Sequence, residues 1–182
     1  INKWVTKQYE EGRTTSLSDQ EMEKITRKYL PEYFVSEFDR LKARAYEMAA
    51  HIVERVIEKS ELKSMDSKKI EPILRSLQDE YPYLQYVYVV DVHGMKITRT
   101  IVQPIDQSKY DNIPQGENYS NRPWFIEPLK DGKIHVTNPY SSKHTGVLCI
   151  TVSGLIRDES GEIKGILGLD IRFEDLTKSE EE

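Results

Sequence analysis

The sequence predicts an α+β domain: a long N-terminal helix followed by a five-stranded antiparallel sheet with helices grouped on one side. Two observations carry this. Apolar residues recur at helical spacing up to about residue 80 and switch to a period of two at Leu84. Turn signals, Asp91-Val92-His93-Gly94 and Asp158-Glu159-Ser160-Gly161, then punctuate the alternating runs.

Residues 1–31 read as a polar lead, in which Ser18 and Glu21 could cap a short helix to Leu30. Phe34, Phe38, Leu41, Ala45, Met48, Ile52 and Val56 then form one stripe, which predicts a helix over about 32–60. Such a helix is about 40 Å long, more than a small sheet needs. The stripe fits packing on its own domain, and it also fits a two-helix seam in a homodimer. A second helix is expected over 67–80, with Pro72 distorting it.

In the first strand, 85–91, Tyr86, Tyr88 and Val90 alternate with Val87 and Val89. A second strand is expected over 95–102 and a polar loop over 104–116. A short helix follows over 122–129 and a short strand over 134–136. The closing hairpin is 147–157 with 162–173. These boundaries divide the chain into a lead (1–31), one domain (32–176) and an acidic tail (177–182).

Composition excludes several function classes. The 182 residues carry a net charge of −5, against the basic surplus of a nucleic-acid binder. Hydrophobic residues are 37% and charged residues 31%, so much of the chain is solvated face or tail. There is no spanning apolar run and no signal-peptide core. The single cysteine, Cys149, excludes an internal disulfide. The four histidines are scattered, and no nucleophile elbow or phosphate-binding glycine loop is present. No catalytic set, metal site or cofactor motif is therefore expected.

One constellation stands out. Arg122 and Trp124 lie two residues apart, with Tyr140 beyond them, and Asp170 is embedded in an apolar strand. Arg offers a fork for a carboxylate. A half-buried Asp needs a partner, and two candidates fit: a ligand ammonium, or Arg122 itself in an internal ion pair. The 11 tyrosines suit a half-wet pocket.

The stretch from Tyr81 to Leu176 resembles the Cache (extracellular PAS-like, PDC-type) sensor domains of bacterial and archaeal signal-transduction receptors. Tyr88–Gly94 is similar to the family's first strand and D-x-x-G turn, and Ser120–Phe125 to its R-x-W-[FY] motif. Asn138–Ser142 is similar to its pY segment, and Ile150–Ser153 with Gly161–Ile171 to its closing hairpin. The resemblance implies a PAS-like sheet behind a long N-terminal helix. It implies that Arg122 and Trp124 hold a ligand carboxylate, and that Tyr140 and Asp170 hold an ammonium. Tyr119 and Tyr88 complete the candidate set. Two positions depart from the pattern: Glu117 replaces a tyrosine, and Phe125 follows the Trp.

The expected function is a sensor for a small polar metabolite (amino acid, carboxylate or amine), signalling through the long helix. The output would be a histidine kinase, a chemoreceptor, or a diguanylate cyclase or phosphodiesterase outside the fragment. A ligand-free dimerisation or scaffolding domain is the alternative. The resemblance implies the extracytoplasmic part of a membrane-anchored receptor. The acidic end is also compatible with a C-terminal sensor domain in the cytoplasm.

Overall fold

A computed structural model of the chain describes residues 32–102, 116–142 and 146–177. The expected lead, its capped helix, most of the 104–116 loop with Tyr110, and all but the first residue of the tail lie outside the described residues.

Helix α1 (Glu32–Ile57) is followed by one turn of helix, α2 (Ser60–Lys63), and by α3 (Ser67–Glu80). Asp66 caps α3 by accepting from the Lys68 N–H at 3.0 Å. Helix α3 runs unbroken through Pro72, which only forgoes its own N–H bond. The remaining elements are β1 (Leu84–Asp91), β2 (Ile101–Val102), α4 (Pro123–Asp131), β3 (His135–Val136), β4 (Tyr140–Ser141), β5 (Leu148–Arg157), β6 (Ile163–Arg172) and α5 (Phe173–Thr177). The last expected strand therefore ends one residue earlier, and the chain turns helical at Phe173.

The sheet order is β2-β1-β6-β5-β3, with β4 also paired to β5, and every pairing is antiparallel. β3 and β4 share one edge of β5 and amount to a single edge strand interrupted near Pro139, which has no N–H to donate. In the gap, Thr137 Oγ1 accepts from the Thr151 N–H at 3.0 Å.

The second strand is shorter than expected. Ile97 N–H reaches Val89 O at 3.0 Å, but the Val89 N–H is taken by Thr98 Oγ1 at 3.0 Å. A side chain thus replaces a backbone partner, and the ladder resumes only at Ile101.

Strand alternation gives the sheet two different faces. One carries Val87, Val89, Ile150, Val152, Leu167, Leu169 and Ile171, all fully buried. Against it lie Leu41, Ala45, Ala49, Ile52, Val53 and Val56 of α1 and Ile70, Leu74 and Leu77 of α3. Each large aliphatic side chain buried there contributes about 1.5–3 kcal/mol. From Phe38 onward the stripe read from α1 therefore packs on its own domain. The opposite face carries Tyr86, Tyr88, Val90, Leu155 and Ile166, covered by Trp124 and Phe125 of α4.

Helix α1 is fastened at the corner between α3 and β1. Tyr83 Oη donates to Met48 O at 2.8 Å. Arg55 bridges to Glu80 at 3.3 Å and to Tyr81 Oη at 3.1 Å.

Candidate ligand-binding site

The pocket lies on the second face of the sheet. It is lined by Tyr86, Tyr88, Thr100, Tyr119, Arg122, Trp124, Tyr140, Ser142 and Asp170. All six candidate residues from the sequence are thus brought to one place.

Asp170 sits on β6 directly between Tyr86 of β1 and Thr151 of β5. It is 5% exposed. Its Oδ1 accepts from Tyr88 Oη at 3.0 Å and from Thr151 Oγ1 at 2.7 Å. Thr151 Oγ1 lies 2.6 Å from Tyr140 Oη. Burial pushes the Asp170 carboxyl up to about 6. The hydroxyl bonds and the positive charge of Arg122 oppose that rise. The hydrogen bonds to Asp170 come from hydroxyls, so the internal ion pair is not what satisfies Oδ1.

Gly168 makes room for Tyr88. A Cβ there would lie 2.6 Å from Tyr88 Cε2 and 2.8 Å from Cζ. Gly168→Ala is expected to displace the Tyr88 ring and its bond to Asp170. Tyrosine ring resonances in NMR spectra should show that shift, with a stability loss of about 1–3 kcal/mol.

The other wall comes from the turn before α4. Arg122 is the N-cap residue, and Pro123 occupies the first turn, where a missing N–H costs nothing. Arg122 N–H donates to Tyr119 O at 3.0 Å, closing a turn that places Tyr119 beside the Arg-x-Trp motif. Ser153 Oγ of β5 donates to Trp124 O at 2.7 Å and ties the helix to the sheet. The Tyr88 and Tyr119 rings stack at 6.1 Å and 22°. Trp124 stands at 5.1 Å from Tyr88 and 5.5 Å from Tyr119. Burial raises the phenols of Tyr88, Tyr119 and Tyr140, and neighbouring carboxylates raise them further.

Asp91 serves the turn. Its Oδ1 accepts from the N–H groups of His93 and Met95, both at 2.9 Å. Gly94 then accepts from the Tyr119 N–H at 2.7 Å, which docks the pocket segment on the hairpin.

Sequence reasoning left out Thr100, Ser142, Tyr86 and an ion pair beside the wall. Tyr86 shares strand parity with Tyr88 and was readable from that alone. The pair is Lys96 and Glu117, 3.5 Å apart, with the Lys96 side chain fully buried. Lys96 Nζ donates to Thr100 Oγ1 at 2.7 Å, and Tyr119 Oη donates to Glu117 Oε2. The departure at Glu117 is thus matched by a cation 21 residues away.

Among the described residues no cluster of three His, Cys, Asp or Glu side chains could hold a metal. No helix among them is long and apolar enough to cross a membrane.

Comparison with known proteins agrees with the fold. A Syntrophus aciditrophicus (strain SB) protein named citrate (Re)-synthase is 45% identical over 181 residues, which is 100% of this chain and 29% of that protein. A probable methyl-accepting chemotaxis protein of Bacillus thuringiensis subsp. konkukian (strain 97-27) is 25% identical over 140 residues, covering 64% of this chain and 19% of the relative. The chain thus spans less than a third of either relative's length. Among solved structures, the ligand-binding domain of Mlp24 with asparagine superposes with a TM-score of 0.58 at 14% identity, covering 88% of this chain and 62% of that one. The model of the methyl-accepting chemotaxis protein-like first PDC sensor domain matches residues 70–178. The chain therefore belongs to the methyl-accepting chemotaxis protein-like first PDC sensor domains.

Proposed function

We propose that this domain senses a small metabolite carrying an ammonium group, an amino acid or an amine, in the pocket between the sheet and residues 119–142. The observation that supports it is the convergence of three hydroxyls and Arg122 on a pocket whose base is the buried Asp170 carboxylate. A buried carboxylate is costly unless matched by donors, and a ligand ammonium supplies them. Arg122 would take a carboxylate where the ligand has one. The asparagine-bound neighbour shares the fold and makes an amino acid a reasonable first probe.

In this reading the domain is the extracytoplasmic part of a membrane receptor, and α1 carries the signal to an output domain. Signalling requires the ligand to bind one arrangement of α1 better than another. The enzyme name of one relative applies to a protein of which this chain matches 29%. Among the described residues that line the pocket there is no nucleophile paired with a base.

Isothermal titration with amino acids, primary amines and short carboxylates tests the proposal. At least one ammonium compound should bind, and Arg122→Ala should weaken an amino acid by about 10- to 100-fold. Binding unchanged by Arg122→Ala would move the site elsewhere. Absence of any binding or thermal shift, with a dimer that persists, would favour a scaffolding domain.

A further inference from the structure

We propose that Thr100 is a ligand-contact residue whose hydroxyl donates to an acceptor oxygen of the ligand. It thereby narrows the ligand class from any ammonium compound to those that also carry such an oxygen, amino acids before plain amines. This rests on the sensing role proposed above and assigns a task to a pocket residue outside the Arg-x-Trp motif.

The direction of the Thr100 hydroxyl follows from its neighbour. Lys96 Nζ lies 2.7 Å from Thr100 Oγ1. The Lys96 side chain is fully buried, with the Glu117 carboxylate 3.5 Å away as its counter-charge. An ammonium carries three donors and no acceptor, so Thr100 accepts in that bond. The single Thr100 hydroxyl proton is not used there, and among the described residues no acceptor takes it. Thr100 is half-buried and lines the pocket. A ligand that covers it excludes water, and a donor then left without an acceptor costs affinity. Lys96 also makes Thr100 the better donor, because an oxygen that accepts from a cation polarises its own O–H bond.

Thr100 and Asp170 make their demands at separate places. Thr100 leads into β2, which pairs with one edge of β1, and Asp170 is on β6, which pairs with the other edge. The strand that carries Tyr86 and Tyr88 lies between them. A plain amine satisfies the Asp170 carboxylate and leaves the Thr100 proton bare. An α-amino acid answers both, since its carboxylate has lone pairs enough for Arg122 and Thr100 together. Lys96, which reaches the pocket only through Thr100 in this scheme, is a positioning residue.

The test is Thr100→Val, which keeps the branched shape and removes the hydroxyl, with thermal melting to confirm that the variant folds. Titration compares L-alanine with ethylamine and L-valine with 2-methylpropylamine, each amine being its amino acid without the carboxylate. Wild type should bind the amino acid of a pair more tightly. Thr100→Val should weaken the amino acid about tenfold and leave the amine within about twofold. Thr100→Ser, which retains the hydroxyl, should restore the amino-acid affinity. Equal weakening of both members, as a distorted pocket would give, overturns the proposal, and so does no change in either. Should Thr100→Val not fold, Thr100→Cys takes its place: the thiol still accepts from Lys96 but donates weakly, and the same selective loss is expected. Wild type that binds the amine as tightly as the amino acid overturns the role of Thr100 and leaves the sensing role standing. Wild type that binds none of these probes overturns both.

Discussion

Asp170→Asn should reduce affinity for an ammonium ligand by about 100-fold, the loss expected for one buried charge-assisted contact. The variant keeps an oxygen for Tyr88 and Thr151 to donate to, so the sheet should fold as before. The pH dependence makes the test sharper. The folded-state carboxyl is raised to about 6, above its ordinary value of 3.8. Between those values the folded protein binds more protons than the unfolded chain, so Asp170's contribution to stability falls as pH rises from about 4 to 6. The effect is on the order of 3 kcal/mol. Ligand affinity should run the opposite way. The ammonium needs the ionised carboxylate, so affinity should drop about tenfold per pH unit below about 6. Melting curves and titrations of wild type against Asp170→Asn isolate both slopes. Parallel slopes in the two proteins would show that Asp170 is not the titrating group.

Gly94→Ala is expected to be the most damaging turn substitution. Gly94 has φ +77°, and a Cβ there would sit 2.5 Å from Ser120 N and 2.7 Å from Ser120 Cα. Backbone strain and a backbone clash coincide, so the cost should be about 3 kcal/mol or more. That corresponds to a fall in Tm on the order of 10 °C. Gly161→Ala provides the control: its φ is +86°, but nothing lies within 4 Å of the added Cβ. It should cost only about 1–2 kcal/mol. Because Gly94 O also accepts from the Tyr119 N–H, Gly94→Ala should weaken ligand binding too. If both variants melt alike, the hairpin does not hold the pocket segment.

Sequence and structure agree where a period or a strong chemical contrast exists. The change from helical to alternating spacing at Leu84 located the sheet, and the parity of Tyr86, Tyr88 and Val90 separated its faces. Asp170 was legible because an acid in an apolar strand is anomalous, and Arg122 with Trp124 because the motif is local. What remained unread depends on distant pairings. Nothing near Thr98 announces that its hydroxyl will replace a backbone acceptor for Val89. Nothing near Lys96 announces that Glu117 will reach it. The break between β3 and β4 is visible in Pro139, but a single proline does not reveal that both halves return to the same edge of β5.

The bond from Tyr83 to Met48 O has a mechanical consequence. A helix that transmits by sliding must exchange side-chain contacts every turn of about 5.4 Å. Here a carbonyl in the middle of α1 is held from β1's approach, and Arg55 holds the next turns through Glu80 and Tyr81. The three anchors fall between Met48 and Arg55 of α1. A piston stroke of α1 would therefore have to break that clamp as well as slide Leu41 to Val56 across the sheet face they pack on.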